Sequence, residues 1–123
     1  MADAQQHAAA AYAGASEHEC RRCGAGIAAT LVEVACAAGE LAIADARRTE
    51  GLEHAFRLAL PIATAEIRGA AGRLLAARGD VVGGRNECSE ALAVFERLGP
   101  VYMVERTKRR ITELDVTGQA QTA

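Results

Sequence analysis

From about residue 25 to residue 114, apolar side chains recur at spacings of three and four, the period of one helix face. Ile27, Thr30, Leu31, Val34 and Ala35 form one stripe, and Ile67, Ala70, Ala71, Leu74 and Leu75 form a second. Each stops at a turn, Ala38-Gly39-Glu40 or Arg78-Gly79-Asp80. Glycine suits the left-handed position just past a helix end, and the acid that follows can cap the next helix. Beyond these turns run Leu41, Ala44, Gly51, Leu52, Ala55 and Leu58, then Gly84, Cys88, Ala91, Leu92, Phe95 and Leu98. Pro61 and Pro100 follow, each suited to the first turn of a further helix. The pattern predicts helices over about 3–20, 25–38, 41–59, 62–78, 81–98 and 101–114. Val104, Thr107, Ile111 and Leu114 should face inward on the last, and 115–123 should be a disordered tail.

The second half of this pattern echoes the first at an offset of 40 residues, Ile27–Leu58 lying over Ile67–Leu98 without a gap. Gly39-Glu40 falls on Gly79-Asp80, Leu52 on Leu92, Ala44 on Gly84 and Gly51 on Ala91. The small pairs are seven residues apart, two helical turns, and would let a neighbouring helix come close. Repeats of about 20–50 residues mark solenoids. The fold class expected is all-α: antiparallel helical hairpins stacked as a short superhelix of about six helices. It would be one domain over 1–114, with repeats at about 25–60 and 64–100 between a leading and a capping helix.

Composition agrees with helix. Ala is the commonest residue, and Tyr12, Phe56, Phe95 and Tyr102 are the only aromatics, so the core must rely on close helix approach. A net charge of −2 gives no global attraction to nucleic acid. No apolar run approaches the roughly 18 residues of a membrane span. The start, Met1-Ala2-Asp3-Ala4-Gln5-Gln6-His7, lacks the features of a secretory signal, so a cytoplasmic protein with Cys20, Cys23, Cys36 and Cys88 as free thiols is expected.

His18-x-Cys20-x-x-Cys23 is the cluster with metal-ligand chemistry, since zinc prefers imidazole and thiolate. A structural zinc needs four ligands, however, and no second pair stands at a matching spacing. On a helix His18 would point away from Cys20. A small metal- or thiol-dependent regulator built on these three residues is kept as the alternative reading. The basic run Glu105-Arg106-Thr107-Lys108-Arg109-Arg110 reads as a solvated helix face, and nucleic acid is not expected as a partner. Gly24-Ala25-Gly26 and the glycines at 79, 83 and 84 lack the Gly-Lys-Ser/Thr ending of a phosphate loop. No nucleophile, base and acid stand in an interpretable arrangement. No catalytic, cofactor-binding or metal residue is assigned, and the chain is expected to be no enzyme.

Ala70-Ala71-Gly72-Arg73-Leu74-Leu75-Ala76-Ala77-Arg78-Gly79-Asp80 resembles the first helix and turn of a tetratricopeptide repeat. Gly72, Gly84 and Ala91 match its small positions, whereas Val32 stands in place of the glycine in the first repeat and Arg68 in place of the usual Trp. Glu90-Ala91-Leu92-Ala93-Val94-Phe95-Glu96-Arg97-Leu98-Gly99 is similar to longer repeats in the C-terminal arms of large bacterial LuxR-type and SARP-type regulators and signalling ATPases. The Ala- and Arg-rich composition resembles proteins of GC-rich bacteria. The resemblance implies a recognition or regulatory surface for another protein, or for a second copy of the chain, with no cofactor. Contact is expected at the two ends of the stack, where a repeat has no neighbour to cover it.

Overall fold

The computed structural model describes Gln6 and residues 21–122, with side chains given for residues 27–119 besides Gln6. Among the described residues are five helices: α1 (Arg21–Ala37), α2 (Leu41–Arg57), α3 (Pro61–Ala77), α4 (Val81–Leu98) and α5 (Val101–Thr122). No strand occurs among the described residues. The leading helix expected over 3–20 lies outside them, except that Gln6 is helical.

Turns of two or three residues force each helix to run antiparallel to the one before. The helices then sort into two layers. α1, α3 and α5 form one, with α3 packed against both others; α2 and α4 form the other and do not pack on each other. α3 is central, touching the other four helices.

Three of the four turns share one geometry. At Ala38–Glu40 the Glu40 N–H donates to the Ala35 carbonyl and the Gly39 N–H to that of Cys36. Asp80 and Gly79 repeat this on Leu75 and Ala76, and Leu60 and Ala59 on Ala55 and Phe56. This is the Schellman arrangement, which needs a left-handed residue just past the helix end. Gly39 (φ 78°) and Gly79 (φ 91°) supply it freely, whereas Ala59 is held at φ 51° against its Cβ. The two expected acidic caps diverge. Asp80 accepts from the Gly83 N–H at 2.8 Å, while the Glu40 side chain makes no capping bond. Gly83 is what admits the cap, because a Cβ there would stand 2.2 Å from Asp80 Oδ2.

The core is built from small residues, as the paucity of aromatics requires. Ala28, Val32, Ala44, Ala55, Ile67, Ala70 and Leu74 pack between the first three helices, and Ala65, Ala91, Phe95 and Met103 between the last three. The glycines set how near the helices come. A Cβ on Gly51 would lie 2.4 Å from that of Ala28, and one on Gly84 would lie 2.4 Å from the Gly72 carbonyl oxygen. Arg48, at the register position of the buried Cys88, stays half-exposed and pairs with Asp45 at 3.6 Å.

The last helix departs most from expectation. It runs on through the segment 115–122 expected to be disordered, and its buried positions are Met103, Thr107, Arg110 and Leu114. Two contacts account for the extension: Arg85 Nε donates to Asp115 Oδ1 at 2.6 Å, and Gly118 lies close to Val81 of α4. Val104 and Ile111, expected fully inward, are only half-buried.

Candidate functional site

Antiparallel topology puts the turns at 58–60 and 99–100 on one edge of the stack and those at 38–40 and 78–80 on the other. The second edge carries the polar turn residues Glu40 and Asp80, with Ile43, Val82 and Val116 exposed near it. The first is apolar: Phe56 is 85 % exposed, and Leu58, Leu98, Val101 and Tyr102 are exposed beside it in sequence and topology. The chain's repeat explains Phe56. Its neighbour Ala55 falls on the buried Phe95, so Phe56 falls on Glu96, a solvent position in both repeats. An aromatic ring has been set where the fold wants a charge.

Phe56 also borders a cavity of about 370 Å³ that opens between α2 and α4 and has α3 as its floor. Ala55, Ala59, Leu60, Pro61, Ala65, Ala91 and Val94 make its walls apolar. It exists because α2 and α4 do not pack on each other. Arg68 closes one side, pairing with Glu87 at 3.2 Å and with Glu90, and so ties α3 to α4.

In the other layer a second cleft of about 370 Å³ lies between α1 and α5 over α3, lined by Glu33, Val34, Ala37, Arg73, Arg106, Arg109, Arg110 and Glu113. Here one member of the basic run departs from the solvated face expected: Glu105, Lys108 and Arg109 are exposed, but Arg110 is buried, with its Nη2 paired to Glu33 across the cleft. Its burial was legible. A further step of 40 residues lays Thr107, Arg110 and Leu114 over Ile67, Ala70 and Leu74, all buried, so Arg110 stands at a core position. Burial lowers the proton affinity of the Arg110 guanidinium, with Glu113 opposing. Burial also raises the pKa of Glu66 on α3, and Arg106 pulls it back.

Two thiols, Cys36 and Cys88, are described. Cys88 is fully buried, its Sγ 3.6 Å from the Gly69 carbonyl, and burial pushes its pKa from 9.0 to about 11, with Glu87 adding to the rise. Half-buried Cys36 is shifted upward for the same reason, opposed by Arg73. Both are free. His18 and Cys20 lie outside the described residues; Cys23 is within α1, but its side chain is not described. Among the described residues no group of three His, Cys, Asp or Glu is placed to hold a metal ion, and no helix is long and apolar enough to cross a membrane. Comparison of the chain with protein-family models, curated proteins and solved structures finds no match.

Proposed function

We propose that this chain is a non-enzymatic protein–protein interaction module, a regulatory scaffold of stacked helical hairpins that works through its apolar edge. The observation that carries this reading is Phe56, 85 % exposed at a register position that is otherwise charged, beside a 370 Å³ apolar cavity. Aromatic anchors beside water-excluding pockets are what interfaces use to concentrate binding energy. Contiguous exposed apolar surface of this kind marks a contact site. The resemblance of residues 70–99 to repeats in the arms of bacterial transcription regulators supports the same role, as a module of such an arm or a free-standing relative.

The partner this edge fits by its own geometry is a second copy. Knob and socket lie side by side on one surface, so a two-fold axis between two copies would seat each Phe56 in the other's cavity. Such self-complementarity is the requirement of an isologous dimer. Sedimentation equilibrium should show a dimer that dissociates on dilution and is lost in Phe56→Ser. The substitution should leave thermal stability unchanged within about 0.5 kcal/mol, since the ring contacts mostly solvent. A wild-type chain that stays monomeric up to millimolar concentration would refute the self-association.

A further inference from the structure

The second cleft has a charge pattern that the apolar edge does not explain. Three arginines, Arg106, Arg109 and Arg110, sit at i, i+3 and i+4 on α5, one helix face, where like charges repel. Arg73 adds a fourth from α3. The carboxylates that face them come from α1, α3 and α5 itself: Glu33 pairs with Arg110, Glu113 with Arg73 at 3.0 Å, Glu66 acts on Arg106, and Glu105 stands beside Arg109. Among the described residues neither Arg106 nor Arg109 has a carboxylate in ion-pair contact, although Glu105 and Glu113 line an adjoining hollow with Arg109.

The hydrogen-bond count points the same way. The Arg110 side chain is only 9 % exposed, yet its buried Nη1 has no acceptor, and neither has the buried Nε of Arg106. Arg110 Nη1 rests against the α3 backbone at Gly69, where a Cβ would come within 3.0 Å of it. Buried polar groups are normally satisfied, and a guanidinium at a core position held by Ala70 in the previous repeat is costly there. Val34 and Ala37 line the opposite wall with apolar surface. A cleft of about 370 Å³ falls within the range of small-ligand sites.

We infer that this cleft binds the carboxylate of a small organic acid, with the carboxylate over Arg106, Arg109 and Arg110 and the hydrocarbon part against Val34 and Ala37. A carboxylate adds negative charge beside the two guanidiniums, Arg106 and Arg109, that have no ion-pair partner among the described residues. Its two oxygens offer about four acceptor sites, enough for the three guanidiniums. Reaching Arg110 Nη1 requires the guanidinium to turn away from Gly69 into the cleft, a rearrangement that also involves its Nη2–Glu33 pair. The site is independent of the Phe56 edge and would stand if the chain proved monomeric.

The test is a titration of the full chain with butyrate, following the arginine Nε–Hε signals by ¹⁵N NMR at low ionic strength. Butyrate should give saturable shifts at Arg106, Arg109 and Arg110 by about 10 mM. Butyramide, the neutral isostere, should give none. Arg109→Gln, at an exposed position, should weaken butyrate about tenfold with the fold intact. Arg110→Leu fills the buried position with an apolar side chain and should abolish binding while the chain still unfolds cooperatively. Raising salt to about 0.5 M should weaken binding severalfold. Unsaturable shifts, equal response to butyramide, or full affinity in Arg109→Gln would overturn the proposal. So would tenfold tighter binding of inorganic phosphate.

Discussion

Replacing Gly84 by Ala sets two physical effects against each other, and the structure says which wins. Gly84 is interior to α4, where Ala favours helix by about 1 kcal/mol over Gly. Judged on helix propensity alone, Gly84→Ala stabilises. In the packed molecule the new Cβ would lie 2.4 Å from the Gly72 carbonyl oxygen and 3.3 Å from its carbonyl carbon. These are backbone atoms of α3, so no side chain can rotate away. Restoring an ordinary contact means opening the α3–α4 crossing by about 1 Å, which loosens the packing of Cys88 and Leu114 around Gly72. Overpacking costs about 1–3 kcal/mol, and against rigid backbone it falls in the upper part of that range, about 2–3 kcal/mol, so after the propensity gain of about 1 kcal/mol a net loss of about 1–2 kcal/mol remains. For a chain of this size that is a fall in Tm of about 4–8 °C. Gly118→Ala in α5 is the control, because its Cβ would meet only Val81 at 3.4 Å. It should stabilise by up to about 1 kcal/mol. Urea unfolding followed by circular dichroism measures both. A Gly84→Ala chain as stable as wild type would refute the close crossing.

Three other outcomes follow from the turns and the buried thiol. Ala59→Gly relieves a left-handed alanine worth about 1–2 kcal/mol and adds about 0.4–1 kcal/mol of unfolded-state entropy; a net gain of about 0.5–1 kcal/mol should raise Tm. Asp80→Ala removes the acceptor of the Gly83 N–H and should cost about 1 kcal/mol, whereas Glu40→Ala, which removes no cap, should cost under about 0.5 kcal/mol in the same denaturation. Cys88 holds its proton to about pH 11 when folded, while the unfolded thiol releases it near 9.0. The unfolded state therefore binds fewer protons between these values. Stability should be complete below that window and fall by about 3 kcal/mol across it, a slope that unfolding of Cys88→Ala should lack.

The sequence by itself determined the elements and their order. Gly39 and Gly79 end helices because only glycine takes their φ without strain, and the apolar stripes mark which faces turn inward. Both are local properties, so the periodicity and the offset of 40 residues carried them. The same offset places Phe56 over Glu96 as an exposed ring and Arg110 over Ala70 as a buried charge, although reading the basic run as a solvated face passed over the second. Tertiary structure decided the rest. The length of α5 depends on Arg85 reaching Asp115, and the caps differ because Gly83 leaves room for Asp80 and Ile43 stands in its place after Glu40. Contact was expected at the ends of the stack; of the eight large apolar side chains exposed among the described residues, five, Phe56 among them, lie at the edge carrying the 58–60 and 99–100 turns. That edge, and the cleft where arginines of two helices meet glutamates of three, exist only once antiparallel helices are laid side by side. Neither charge balance nor an unfilled gap between helices is a property of any one segment.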